Sequence, residues 1–406
     1  MRRPHISRRQ FLHHSSTALA WPAALNACAT RMQNAQDPWA QAHAEFLIPA
    51  DRIYLNIGTL GPQPRIVVDA VIEHTRRVAM SLPPGVDWDT LKRECAALLN
   101  CDPAGLVFPR NTTEGMNFVA NGLELNAGDE VITTNHEHIG GLCCWQLIAK
   151  RRGVTLRQVE LQNPPLDPQA AYDAIVRAIS SRTKVVSVSH VNFTNGLNMP
   201  VRALIEYCRP RGIIVVVDGA HPPGLMAVDL RALDPDFYAT SPHKWLFAAQ
   251  GTGLLYLRDE WRTKLWPTLA SGDWDNLTLG AQRFNHLGSF DESRLAGLLA
   301  AVRFHQALGP DRTYARIRHL RSRIFDALAQ SPRVHFTSPR NDSAGAGMVS
   351  FTVDGITAQD LQRKLAEHNV RTRVIGEYNY NWMRLSASVH STEAQIERVA
   401  SLIGSA

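Results

Sequence analysis

The run Gly212-Ile213-Ile214-Val215-Val216-Val217 is short, apolar without alternation and rich in β-branched residues, and it ends on Asp218. Continuous apolarity of this kind marks a strand buried on both faces, the signature of a parallel sheet covered by helices. Thr183 to Val188 and Glu130-Val131-Ile132-Thr133-Thr134 read as further strands, each leading into a polar loop. Such runs alternate with helical stretches from Leu106 to Leu257, which predicts a doubly wound, mostly parallel α/β sheet. Ligands of open α/β sheets bind in the crevice beyond the carboxyl ends of the strands, so polar residues at those ends are the candidates for chemistry.

Asp218, in Asp218-Gly219-Ala220-His221, stands at one such end. Asp236-Phe237-Tyr238-Ala239-Thr240 delivers Ser241-Pro242-His243-Lys244-Trp245 to a similar edge, and the separation of 26 positions from Asp218 to Lys244 leaves room for one crossover. A buried carboxylate is costly unless paired, and a pyridinium nitrogen is such a partner. A carboxylate that holds a pyridinium proton and an amine that forms an imine are what pyridoxal phosphate (PLP) requires of a protein. The competing readings are a helix-capping aspartate and a solvated surface lysine.

Other motifs sit at equivalent places. Arg110-Asn111-Thr112-Thr113-Glu114-Gly115-Met116-Asn117 follows the short strand Gly105-Leu106-Val107-Phe108 and opens a helix, where backbone N–H groups and the helix dipole favour a phosphate. Thr-Thr-Glu is also ordinary capping chemistry. His136-Glu137-His138-Ile139-Gly140-Gly141 and Ser189-His190-Val191-Asn192-Phe193-Thr194-Asn195-Gly196 end two further strands. Arg384, in Trp382-Met383-Arg384-Leu385-Ser386, is an arginine in an apolar strand and needs a partner, a structural salt bridge being one.

Through these motifs the chain resembles the class V aminotransferase-fold PLP enzymes, a superfamily that holds cysteine desulfurases, kynureninases and isopenicillin N epimerase-like proteins. The resemblance runs from about Tyr54 to Ile403. It implies PLP-dependent transferase fold type I (aspartate aminotransferase-like), with a large doubly wound domain, a smaller α/β domain and a homodimer. It implies that Lys244 holds PLP as a Schiff base, that Asp218 keeps the ring nitrogen protonated, and that Thr112, Thr113, Ser241 and His243 bind the phosphate. His138 matches the residue that stacks on the pyridine ring, and an imidazole there could also act as acid or base. Asn192 is the candidate contact from its loop, and His221 aligns beside the ring hydroxyl. Ser289, in Leu287-Gly288-Ser289-Phe290-Asp291, matches a hydroxyl that reaches the neighbouring subunit's phosphate. Arg384 matches the arginine that grips a substrate α-carboxylate.

The chain also departs from the pattern. Phe193 stands where desulfurases usually carry Asn, and Asn195 where many epimerase-like members carry Thr. Desulfurases take sulfur onto a cysteine shortly before the arginine, yet Val374-Ile375-Gly376-Glu377-Tyr378-Asn379-Tyr380-Asn381 has none. The isopenicillin N epimerase-like branch matches best, through Tyr54-Leu55-Asn56-Ile57-Gly58-Thr59-Leu60-Gly61 and Tyr378-Asn379-Tyr380-Asn381-Trp382-Met383-Arg384.

Ser7-Arg8-Arg9-Gln10-Phe11-Leu12 and the small-residue stretch after it resemble a twin-arginine export signal. Leu25-Asn26-Ala27-Cys28 resembles a lipoprotein box that would anchor the chain at Cys28, whereas Ala27-Cys28-Ala29 suits ordinary signal peptidase. The apolar stretch is too short for a stable membrane span. Twin-arginine export moves folded proteins, which suits an enzyme that loads its cofactor in the cytoplasm before reaching the periplasm.

The formal charge of +6 is a property of this leader: residues 1–34 carry five arginines and no acid, and without them 38 basic residues face 37 acidic ones. No basic excess is left to steer nucleic acid, and no nucleic-acid motif is present. A metal site is disfavoured, because adjacent Cys143 and Cys144 point different ways and fit a helix as small buried hydrophobes. The expected division is 1–34 export signal, 35–60 an amino-terminal segment joining the small domain, 61–290 the PLP-binding domain, and 291–406 connecting helices and the small carboxyl-terminal domain. Val370 to Val374 is expected to be one strand of that domain. The function expected is an exported PLP enzyme acting at the α-carbon of an amino compound by epimerisation, transamination or elimination. Tailoring of a siderophore or other secreted peptide is the alternative, and a non-catalytic binding protein on the same fold is the alternative of another class.

Overall fold

In the computed structural model, residues 37–82, 85–285 and 287–406 are described, so the export motif and Cys28 lie outside the described residues. A seven-stranded sheet occupies the middle of the chain, in the order Leu106–Val107, Leu254–Leu257, Phe237–Thr240, Ile214–Asp218, Thr183–Ser189, Glu130–Thr134, Thr155–Val159. Only Leu254–Leu257 runs against the other strands. The β-branched runs form these strands because both faces are covered. Val215 and Val217 enter one apolar cluster, while Val216 between them enters the cluster on the opposite face. Asp218 continues the alternation onto the Val216 side, with Ser189 and Ala239 as its register neighbours.

The carboxyl-terminal part builds an antiparallel sheet in the order Arg373–Ile375, Trp382–Ser386, Met348–Val353, Val334–Phe336. The helices Pro310–Leu328, Ala358–Glu367 and Glu393–Gly404 bury their apolar residues with it in a separate cluster. Helix Ser293–Leu308 leaves the large sheet's side and packs on Arg65–Ala79. Among the described residues no helix is long and apolar enough to cross a membrane.

Two sequence expectations need correction. The segment 370–374 is not one strand: Val370–Arg371 pairs in parallel with Ile53–Tyr54, and Arg373–Ile375 pairs antiparallel with Trp382–Ser386. The buried Thr372 separates them, each half following a different partner. Of the cysteine pair in helix Ile139–Arg152, only Cys144 is buried, and Cys143 is half-buried, because successive helical positions face different directions.

The pairing of Ile53–Tyr54 brings the next residues over the large sheet. The Gly61 N–H donates to the His243 carbonyl at 2.8 Å. A methyl group at Gly61 would lie 2.0 Å from the Lys244 carbonyl oxygen, so only glycine allows this approach.

Candidate active site

One cavity of about 260 Å³ lies at the carboxyl ends of the parallel strands. Its walls include Thr112, Thr113, His138, Asp218, Ser241, His243, Lys244 and Arg384. His221 is buried behind Lys244, with its Nε2 3.3 Å from Lys244 Nζ. Asn192 is also buried, but Phe193, the next residue, forms the wall. Neither amide atom of Asn192 has a hydrogen-bond partner in the protein. Ser289 is exposed and outside this cavity.

At one end of the cavity, helix Thr112–Gly122 begins with Asn111 as its cap, accepting from the Glu114 N–H at 2.9 Å. The Thr112 N–H donates to Ser241 Oγ at 3.1 Å, and the two hydroxyl oxygens lie 2.7 Å apart. Hydroxyls and free N–H groups at a helix start form an anion cradle. Gly140 closes on it, since a methyl there would lie 2.4 Å from Thr113 Oγ1.

His138 caps helix Ile139–Arg152 by accepting the Gly140 N–H on Nδ1 at 3.0 Å. Burial, then the charges of Lys244, Arg384 and Arg373, push its pKa down to about 4. The ring is therefore neutral, with its proton on Nε2. The small Gly140-Gly141 start lets this helix close over Asp218: a methyl at Gly141 would lie 2.5 Å from Asp218 Oδ2.

Asp218 Oδ1 accepts the Ala220 N–H at 3.1 Å. Burial raises the carboxyl's pKa, opposed by Lys244 and by that hydrogen bond. Burial pushes Lys244 down to about 8, with Asp218 opposing and Arg384 adding to the effect. The Trp245 indole, a donor only, gives its N–H to His221 Nδ1 at 3.0 Å. A neutral His221 then carries its proton on Nε2 and donates toward Lys244, a geometry that requires the unprotonated amine.

Across the cavity, Arg384 is 2% exposed. Its Nη1 donates to the Phe193 carbonyl and its Nη2 to Thr59 Oγ1 at 3.1 Å, while Nε has no partner. Burial and then the nearby Arg373 push this guanidinium down to about 9. Among the described residues no carboxylate forms an ion pair with it.

Several wall residues escaped the sequence reading: Gly58, Thr59, Asn111 and Arg373. Asn111 had a readable signal, a capping residue directly before Thr112-Thr113. Glu137 lies beneath the wall, accepting from the Thr134 hydroxyl at 2.6 Å and from the Ser189 hydroxyl. Burial drives its pKa up to about 7, against those two hydrogen bonds and with the help of Asp218. Because folding raises this pKa from the ordinary 4.5, the folded state holds the proton more tightly. The resulting stabilisation is full below about 4.5 and is lost as pH rises to about 7. Thermal unfolding of the cofactor-free protein is expected to show Glu137→Gln gaining on wild type between these pH values and levelling above them. A pH-independent difference would contradict the assignment.

A model of the aminotransferase class-V family matches residues 87–399, and the chain belongs to that family, a family of PLP-dependent enzymes of fold type I. It is 31% identical over 385 residues to isopenicillin N epimerase of Streptomyces clavuligerus, covering 89% of this chain and 96% of that protein. It is also 31% identical over 343 residues to a probable cysteine desulfurase of Halobacterium salinarum, covering 80% and 81%. Among solved structures, the apo cysteine desulfurase of Thermococcus onnurineus NA1 superposes with a TM-score of 0.80 at 26% identity, covering 90% of this chain and 97% of that one. A C-DES mutant with glycine covalently linked to its PLP cofactor superposes with a TM-score of 0.78 at 26% identity, covering 89% and 98%.

Proposed function

We propose that this chain is an exported PLP enzyme of the isopenicillin N epimerase-like branch that acts at the α-carbon of an amino compound bearing a carboxylate. The observation that carries the reading is the convergence of Lys244, Asp218 and Arg384 on one cavity, an amine, a buried acid and a buried guanidinium without a counterion. The donor set fits the cofactor: a hydroxyl-rich helix start for phosphate, a buried carboxyl for a ring nitrogen, and a low-pKa amine for an aldehyde. When bound, PLP supplies an aldehyde that condenses with amines and a ring that takes up the electron pair of a bond broken at the α-carbon.

In this reading Thr112, Thr113, Ser241 and His243 hold the phosphate. Asp218 keeps the ring nitrogen protonated, and the neutral His138 offers a flat ring and an N–H donor. Arg384 fixes the substrate carboxylate by a charge-assisted contact. Lys244 Nζ takes the α-proton, the step that epimerisation, transamination and elimination share, and the three part only at where a proton is then returned. The absence of cysteine from 374–381 favours these over sulfur transfer to the protein.

The apolar surface of Trp266, Leu269, Leu277 and Phe290 supports a homodimer, with Ser289 facing the partner. The motif Ser7-Arg8-Arg9 supports export, with or without lipid at Cys28. It also favours a second reading of the substrate, an amino acid unit of a siderophore or other secreted peptide, of which the cavity takes the reacting end.

The test is a visible absorption spectrum of the full chain purified from the cytoplasm. A yellow protein whose spectrum shifts on adding α-amino acids supports the reading. A colourless protein that PLP cannot reconstitute leaves a non-catalytic binding role.

A further inference from the structure

The cavity contains a second guanidinium that the family comparison does not assign. Arg373 lines the same walls as Lys244 and Arg384. It sits on the edge strand Arg373–Ile375, directly opposite Arg384 in the antiparallel register. Residues so paired project to the same face of a sheet with side chains in reach of each other, and like charges there are unfavourable. Among the described residues Arg384 has no acidic partner, and Arg373 forms an ion pair with Glu377, four residues on in its own loop. Glu377 is positioned by its neighbour Tyr378, whose hydroxyl donates to the Glu137 carbonyl at 2.6 Å. Arg373 is half-buried, so its guanidinium meets both the cavity and solvent. Two opposed guanidiniums can hold two anionic groups, the α-carboxylate at Arg384 and a second at Arg373 in place of Glu377.

Resting on the function proposed above, we infer that the substrate carries a second acidic group, and that Arg373 reads it while Arg384 holds the α-carboxylate. Arg373 is thereby a specificity residue at the mouth of the site, and Glu377 is the internal acid that the ligand's distal anion displaces. The chemical class is an amino acid, free or at a peptide end, with a carboxylate on its side chain.

The test is a spectral titration of the PLP-loaded full chain with L-aspartate, L-glutamate and L-2-aminoadipate against L-norvaline, in wild type, Arg373→Gln, Arg373→Lys and Glu377→Gln. The best diacid is expected to bind wild type about tenfold or more tightly than L-norvaline, the size of a charge-assisted contact. Arg373→Gln is expected to weaken the diacids about tenfold more than it weakens L-norvaline, and Arg373→Lys to restore part of that difference. Glu377→Gln is expected to tighten the diacids. A diacid preference that is absent from wild type or survives Arg373→Gln overturns the inference. So does a loss in Arg373→Gln that is equal for L-norvaline and the diacids, which would make Arg373 a structural or cofactor residue. A spectrum that no amino acid shifts overturns the proposed function itself, and this inference with it; a shift by L-norvaline as strong as by the diacids overturns the inference alone.

Discussion

Lys244→Ala is expected to leave a folded protein that binds PLP reversibly and turns over substrate roughly 10³-fold or more slowly. The lysine has two jobs in the account, covalent attachment of the cofactor and movement of the α-proton, and a positioned acid–base group alone contributes roughly 10² to 10⁴. The fold should survive, because the hydrogen bond that the side chain makes is to His221, which keeps its partner Trp245. The structure adds a pH signature. With burial and Arg384 lowering the amine to about 8, wild-type apoprotein should react with PLP along a titration centred near that value, well below that of a free lysine at 10.5. Stopped-flow absorbance against pH checks this. A midpoint near that of free lysine would show that the cavity does not depress the amine.

Arg384→Met should separate binding from stability. Truncating one partner of a buried charge pair costs about 2–4 kcal/mol, so affinity for α-carboxylates should fall roughly 30- to 1000-fold. In the ligand-free protein that pair does not exist, and the guanidinium is buried with an unpartnered Nε and no counterion. Replacing it with an apolar chain of similar length removes a desolvation cost, so the melting temperature should hold or rise. Spectral titration with an amino acid and with its amide, beside a thermal melt, gives both quantities. Loss of stability with unchanged carboxylate affinity would make Arg384 a structural residue.

Much of the architecture was legible because burial on both faces leaves a direct mark on composition. Val215, Val216 and Val217 point alternately into opposite clusters, so every position must be apolar, and the run announces a central parallel strand. Asp218 and Lys244 were legible for a related reason: a charged residue at the end of such a run, or within one turn after a strand, is placed where this sheet opens its cavity. The split of 370–374 was not legible. Both halves have the same local propensity, and what separates them is pairing with strands at Ile53–Tyr54 and Trp382–Ser386. Thr59 and Arg373 were missed for the same physical reason, since each reaches the cavity only after distant segments meet. Asn192 was the candidate contact from its loop, yet Phe193 lines the cavity and Asn192 is buried outside its walls. His138 was expected to stack or to act as acid or base, and burial, with Lys244, Arg384 and Arg373 nearby, leaves it a neutral ring at neutral pH.

The central claim is that Lys244 is the residue that carries the cofactor. Borohydride reduction of the PLP-loaded full chain, followed by peptide mapping with mass spectrometry, tests it in one step. The account predicts one pyridoxyl group per chain, on the peptide that contains Ser241-Pro242-His243-Lys244. A label on another lysine, or no label on a protein that PLP has saturated, would contradict it.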